Sequence, residues 1–148
     1  MHLSSVARPA VRLASKTSSS LCARQQSRRF HRTAVSMGQI TPNVGFDTIA
    51  REWRAKWSPD ADKASLSAAQ AELEKVLPAL KGVKGSKGVQ RVVCGSCMDF
   101  KVITSVNGDD FGAWEEGGFA PEKDFLAALE KIDGISQIET QTVTIMPM

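Results

Sequence analysis

Cys94-Gly95-Ser96-Cys97 carries the side chains of this chain best suited to chemistry. Two thiols at this spacing can close into a disulfide, exchange with other thiols, or share a soft metal ion. Gly95-Ser96 suits a two-residue hairpin turn. Cys94 then pairs with Cys97, Val92 with Asp99 and Gln90 with Lys101. Their Cα atoms would sit about 5.5 Å apart, inside disulfide range. Period two places Cys94, Cys97, Asp99 and Lys101 on one face of the sheet, and Val93, Met98, Phe100 and Val102 on the other. Lys101 would lower a thiol pKa and Asp99 would oppose it. Zinc or another thiophilic metal is the second use of Cys94 and Cys97. Two thiolates are too few for a closed tetrahedral site, so a symmetric dimer would have to supply four. A third reading keeps both cysteines as small residues flanking a turn.

Two other stretches could act on a ligand. Residues 107–120, "NGDDFGAWEEGGFA", read as a long Gly-rich loop. Such loops serve as lids, as contact surfaces or as cover for a sheet edge. Here Trp114 and Phe119 would contact a ligand or partner, and Glu115 or Glu116 could act as a base. In "EWRAKW", Glu52, Arg54 and Lys56 alternate with Trp53 and Trp57. The tryptophans read as core and the charged row as an interface. The strand "DFKVITSV" lacks the K/R-G-F/Y-G/A-F pattern of RNA-recognition motifs, which argues against nucleic acid.

Charge is split along the chain. Residues 1–37 hold seven of the 19 Lys and Arg residues and no Asp or Glu. Residues 38–148 hold 12 basic and 16 acidic residues, a net charge of −4. The leader is rich in Arg and Ser, as matrix-targeting presequences are. "RRFHRTAVSMG" resembles their two-step cleavage pattern, with Arg28, Phe30 and Thr33 at the expected offsets. The resemblance implies a mitochondrial matrix protein with a 1–37 presequence and a 38–148 domain. No stretch of the chain is apolar and long enough to span a membrane. His2, His31 and Cys22 would leave with the leader, so a mature domain would have no His-based triad, His general base or His-containing zinc site.

The elements that position these residues follow from periodicity. Residues 46–57 alternate as a strand with Ile49, Trp53, Ala55 and Trp57 on one side. Residues 62–81 follow a helical stripe through Leu66, Ala69, Leu73, Val76 and Leu80, capped by Asp60 or Asp62 and kinked at Pro78. Two strands flank Gly95-Ser96. Pro121 opens a second helix carrying Phe125, Leu129 and Ile132, which Gly134 ends. Residues 135–146 form the last strand. "LPALKGVKG" (77–85) matches "LAALEKIDG" (126–134) at both Leu, one Ala and the final Gly. Two related halves give an α+β fold: a ferredoxin-like βαββαβ sandwich, with a four-stranded antiparallel sheet and two helices on one face.

This βαββαβ unit, with its short "IDGI" helix-to-strand step, resembles the dimeric α/β-barrel group over residues 46–146. The resemblance implies a homodimer joined through open sheet faces around a small cavity. Three functions stay open. The first is a homodimeric ligand- or partner-binding module, with the role of accessory subunit in a larger mitochondrial complex left open. The second is a small cofactor-free enzyme using Glu52, Asp99, Lys101 and the cysteines, although the histidine positions of that group have no counterpart. The third is a thiol-redox or metal carrier using Cys94 and Cys97. Intact-mass measurement of the protein isolated from mitochondria is expected to give an N-terminus near Gly38. A start far from that residue would sink the presequence reading.

Overall fold

The structure is a computed structural model that describes residues 37–148; the presequence expectation, with His2, His31 and Cys22, lies outside the described residues. The chain enters through a short hairpin of β1 (Gly38–Thr41) and β2 (Val44–Phe46), which forms a two-stranded sheet of its own. The remaining order is β3 (Thr48–Lys56), α1 (Asp60–Lys81), β4 (Ser86–Cys94), β5 (Asp99–Asn107), α2 (Gly108–Glu116), α3 (Glu122–Leu129) and β6 (Ser136–Ile145). The main sheet runs β4-β5-β3-β6 with every neighbour antiparallel. This is the ferredoxin-like arrangement expected from the sequence, with β3 and β5 central and β4 and β6 at the edges.

The alternation in β3 decides which side is core. Trp53, Ala55 and Trp57 are buried with Phe100, Val102 and Val106 of β5. The helices contribute Ala69, Leu73 and Leu80 from α1, Phe111 and Trp114 from α2, and Phe125 and Leu129 from α3 to the same cluster. Trp53 and Phe125 anchor it, with ring centroids 5.1 Å apart. All helices thus cover one face, and the strand residues of opposite parity are left for the other.

The internal repeat is real at the level of individual bonds. Leu80 and Leu129 are both fully buried. Val83 N–H donates to the Leu80 carbonyl, as Ile132 N–H does to Leu129. Ser86 N–H donates to Val83, as Ile135 N–H does to Ile132. The two final glycines, Gly85 and Gly134, both take left-handed φ, at 71° and 85°, which glycine adopts without steric cost. A Cβ on Gly134 would also lie 3.0 Å from Ser58 Cβ, so a side chain there would push this turn away from the exit of β3 by a few tenths of an ångström.

Three expectations need correction. Residues 107–120 are not a loop: Gly108–Glu116 are helical. Phe111 and Trp114 bury themselves at i,i+3 spacing, and the Trp114 indole N–H donates to the Ala120 carbonyl at 2.9 Å. This packing outweighs the poor helix propensity of glycine. Neither Asp60 nor Asp62 caps α1. Ala61, Asp62 and Lys63 adopt positive φ, and the Ser58 hydroxyl accepts from Asp60 N–H instead. Pro121 precedes α3 instead of opening it, its carbonyl accepting from Phe125 N–H at 3.1 Å.

One charged residue sits on the core side of β3. Arg51 lies opposite Thr104 and Thr142 and reaches Glu122 at the start of α3. The pair is bidentate, at 2.6 and 3.0 Å, with both side chains only about 15% exposed. Thr140 and Thr142 accept from the same guanidinium, Trp53 Nε1–H donates to Glu122 at 2.6 Å, and the Phe119 ring lies 4.3 Å from Arg51 Cζ. Removing either partner of a largely buried pair strands the other's charge. Arg51→Leu or Glu122→Leu is expected to cost about 3 kcal/mol in urea unfolding, and the double variant less than the sum. Unchanged midpoints in both single variants would refute this.

Candidate functional site

The second sheet face collects most of the sequence candidates. Glu52, Arg54 and Lys56 of β3 stand opposite Ile103, Lys101 and Asp99 of β5. Beyond β3, Arg54 stands opposite Glu139 of β6. Alternation along each strand puts them all on the side away from the helices. The core cluster takes none of them.

Charge alternates in two dimensions across this face. Lys56 Nζ meets Asp99 Oδ1 at 2.6 Å, Lys101 Nζ meets Glu52 Oε1 at 3.5 Å, and Arg54 pairs with Glu139. The Arg54–Glu139 bond through Nε measures 2.8 Å. Glu139 raises the Arg54 pKa above its usual value through this hydrogen bond. Asp99 is held below the ordinary carboxylate range, first by its hydrogen bond from Lys56 and further by Lys101 and Arg54. Apolar residues share the centre: Ile103 and Val143 are half-buried, Ala50 is fully buried between Ser105 and Val143, and Glu52 is only 12% exposed. A shallow pocket of about 140 Å³ lies between Arg54, Lys56, Asp99, Gln137 and Glu139. It forms where β6 bulges against β3 between Arg54 and Lys56.

The cysteine hairpin ends this face. Its register differs from expectation. Cys94 pairs with Asp99, Val92 with Lys101 and Val93 with Phe100, so the turn spans four residues, 95–98. Met98 adopts φ 55°, and its carbonyl accepts from Trp57 N–H at 3.0 Å, which ties the turn to the end of β3. The shift is by two residues, so every side chain keeps its expected face. Cys94 and Cys97 are joined as a disulfide with Cα atoms 5.5 Å apart. Cys97 lies in the turn beside Asp99, and its carbonyl accepts from Lys56 Nζ at 2.8 Å.

The structure does not bring all candidates together. Glu52, Arg54, Lys56, Cys94, Cys97, Asp99 and Lys101 share the open face and its hairpin end. Trp114 and Phe119 belong to the helical side, packed edge-to-face at 5.3 Å. Trp114 is a core residue, not a lid, and Phe119 lies against Arg51; Glu115 is exposed on α2. With its sulfurs bonded to each other, the Cys94–Cys97 pair presents no thiolates to a metal in this state. Among the described residues no group of three or more His, Cys, Asp or Glu could hold a metal ion. No helix of the described residues is long and apolar enough to cross a membrane. The polar group missed in the sequence is Arg51 with Glu122, although an arginine at core parity in "IAREWRAKW" signals a carboxylate partner.

A depressed carboxylate stabilises the fold above its unfolded pKa, and that contribution fades as pH falls through the folded value. The Asp99 carboxyl, followed by NMR, is therefore expected to titrate below 3.8, and in Lys56→Met to move up towards that value. An unmoved midpoint would remove Lys56 as the cause.

Comparison with known proteins extends the fold and nothing else. No family model matches the chain, and no curated protein matches it. Among solved structures, it is similar to a candidate antibiotic biosynthesis monooxygenase from Deinococcus radiodurans, with TM-score 0.52 and 12% identity over 68% of this chain and 94% of that one. A candidate antibiotic biosynthesis monooxygenase from Caulobacter crescentus matches with TM-score 0.52 and 13% identity, over 69% of this chain and 92% of that one. At these identities the likeness establishes a shared ferredoxin-like α+β fold, the one expected from the element order.

Proposed function

We propose that this protein is a small mitochondrial matrix module that works as a homodimer, its open sheet face set against that of a second copy around a site for a small ligand or partner. The observation that carries this reading is the composition of the open face. A solvated sheet face is usually polar throughout. This one has a buried Ala50, half-buried Ile103 and Val143, and a Glu52–Lys101 pair drawn into the surface between them. Val92, at 44% exposure, continues the apolar patch towards the β4 edge. Apolar residues ringed by paired charges suit an interface that must exclude water at its centre and fix register at its rim. The matrix location rests on the composition of residues 1–37, and membership of a larger assembly is an extension of the same docking logic.

The structural neighbours carry oxygenase names, and an enzymatic version of the reading uses the same face. What it offers such chemistry is Glu52, Asp99 and Lys101. Each is already engaged in an ion pair, so a base among them must first lose its cation to a substrate or to the second copy. Binding therefore comes before catalysis in any use of this face.

Light scattering of the protein is expected to give twice the chain mass. Ile103→Glu is expected to give the chain mass with an unchanged circular dichroism spectrum. A wild-type monomer across the micromolar range, or a dimer indifferent to Ile103→Glu and Val92→Glu, would overturn the arrangement.

A further inference from the structure

We propose that the Cys94–Cys97 disulfide is a thiol–disulfide exchange site of fixed polarity, in which a low-molecular-weight thiol attacks Cys97 and Cys94 is the sulfur that leaves. Access and hydrogen bonding both separate the two sulfurs. Cys97 is exposed in the turn, while Cys94 is half-buried at the end of β4. The Cys97 backbone N–H donates to Cys94 Sγ at 3.1 Å, and Ser96 Oγ lies 3.5 Å from the same sulfur. These donors stand where negative charge appears if the bond opens towards Cys97. A thiolate is stabilised by such donors and leaves faster for it.

Cys97 Sγ faces the opposite environment. It lies 3.4 Å from Asp99 Oδ2. A disulfide sulfur has no hydrogen to give, so this is an approach of a carboxylate to bare sulfur. Asp99 is kept ionised by Lys56, which also holds the Cys97 carbonyl, so turn and carboxylate are fixed together. A thiolate on Cys97 would sit against that negative charge. The leaving role therefore falls to Cys94. Lys56, Lys101 and Arg54 surround Asp99 and soften its repulsion of an incoming anion.

The electron count is closed by the thiol itself. An incoming thiolate attacks Cys97 Sγ and forms a mixed disulfide there. The Cys94–Cys97 bond breaks, and its electron pair goes to Cys94 Sγ. A second thiolate attacks the sulfur of the first, releasing Cys97, which takes a proton from solvent. Two thiols are oxidised to one disulfide, and the protein disulfide is reduced to two thiols.

The test uses the full chain with Cys22→Ser, reduced glutathione as the probe, acid quenching and peptide mapping by mass spectrometry. Glutathione is expected on Cys97 at least tenfold over Cys94, and Cys94→Ser, given oxidised glutathione, is expected to retain the adduct. Alkylation rates against pH give a second readout. The lone Cys94 of Cys97→Ser should ionise at lower pH than the lone Cys97 of Cys94→Ser, and Asp99→Asn should lower the latter. Circular dichroism checks that each variant is folded. Glutathione found mainly on Cys94, no adduct on either cysteine, or a Cys97 thiol that ionises first would each overturn the assignment.

Discussion

Arg51 places a full positive charge on the side of β3 that the helices must cover. The fold is arranged around satisfying it. Glu122 answers from the start of α3, Thr140 and Thr142 from β6, and the ring of Phe119 from the segment between α2 and α3. One guanidinium thus ties together a central strand, an edge strand, a helix and a connection. The same carboxylate accepts from Trp53 Nε1–H, which leaves that indole, in the middle of the core, with a partner. A hydrophobic replacement could cover the same area without desolvating a charge, so the pair is not the cheapest way to hold these elements. What it adds is direction. A bidentate arginine fixes where α3 begins relative to β3, and an apolar contact tolerates sliding.

Much of this fold was legible because two periodicities are clean. Trp53, Ala55 and Trp57 alternate with charges, and Leu66, Ala69, Leu73 and Leu80 recur at helical spacing; the structure buries or half-buries each of these seven. The repeat between 77–85 and 126–134 was more informative than its few identities suggest. Each copy must end a helix, turn through a left-handed glycine and enter a strand, and that task fixes the matched residues. The face of the cysteine hairpin was also legible although its register was not. Parity survives a shift of two residues, whereas the turn length depended on the Met98–Trp57 backbone bond, a contact between segments distant in sequence.

The failures share a cause. Residues 107–120 contain four glycines, which argue locally against a helix. The helix forms because Phe111, Trp114 and Phe119 stack on one another against the sheet, and no local preference records that. Of the lid, contact and cover roles that the sequence leaves open for this segment, the structure gives Trp114 a place in the core and makes Phe119 the cover of Arg51. The i,i+3 spacing of Phe111 and Trp114 points to a helix, while the four glycines around them point away from one. Arg51 is inconspicuous in the sequence for a similar reason. It stands in a row with Ile49 and Trp53, whose apolar alternation hides the exception. The exception was the informative residue, because a charge at core parity requires a partner and so predicts a contact.

The open face inverts this logic. On the core side one ion pair is nearly sealed and surrounded by apolar residues. On the open side three ion pairs are partly exposed and individually weak in water. Their value there rises with whatever excludes solvent, since the same charges interact more strongly once desolvated. A face built this way gains little from its charges in an isolated chain and more when something covers it. The disulfide sits at the end of that face, its Cys97 carbonyl and its neighbour Asp99 both held by Lys56. Covering the face therefore strengthens Lys56–Asp99, which fixes the carboxylate beside Cys97 and mutes its field on that sulfur. Occupancy of the sheet and the chemistry of the turn are linked through a single lysine.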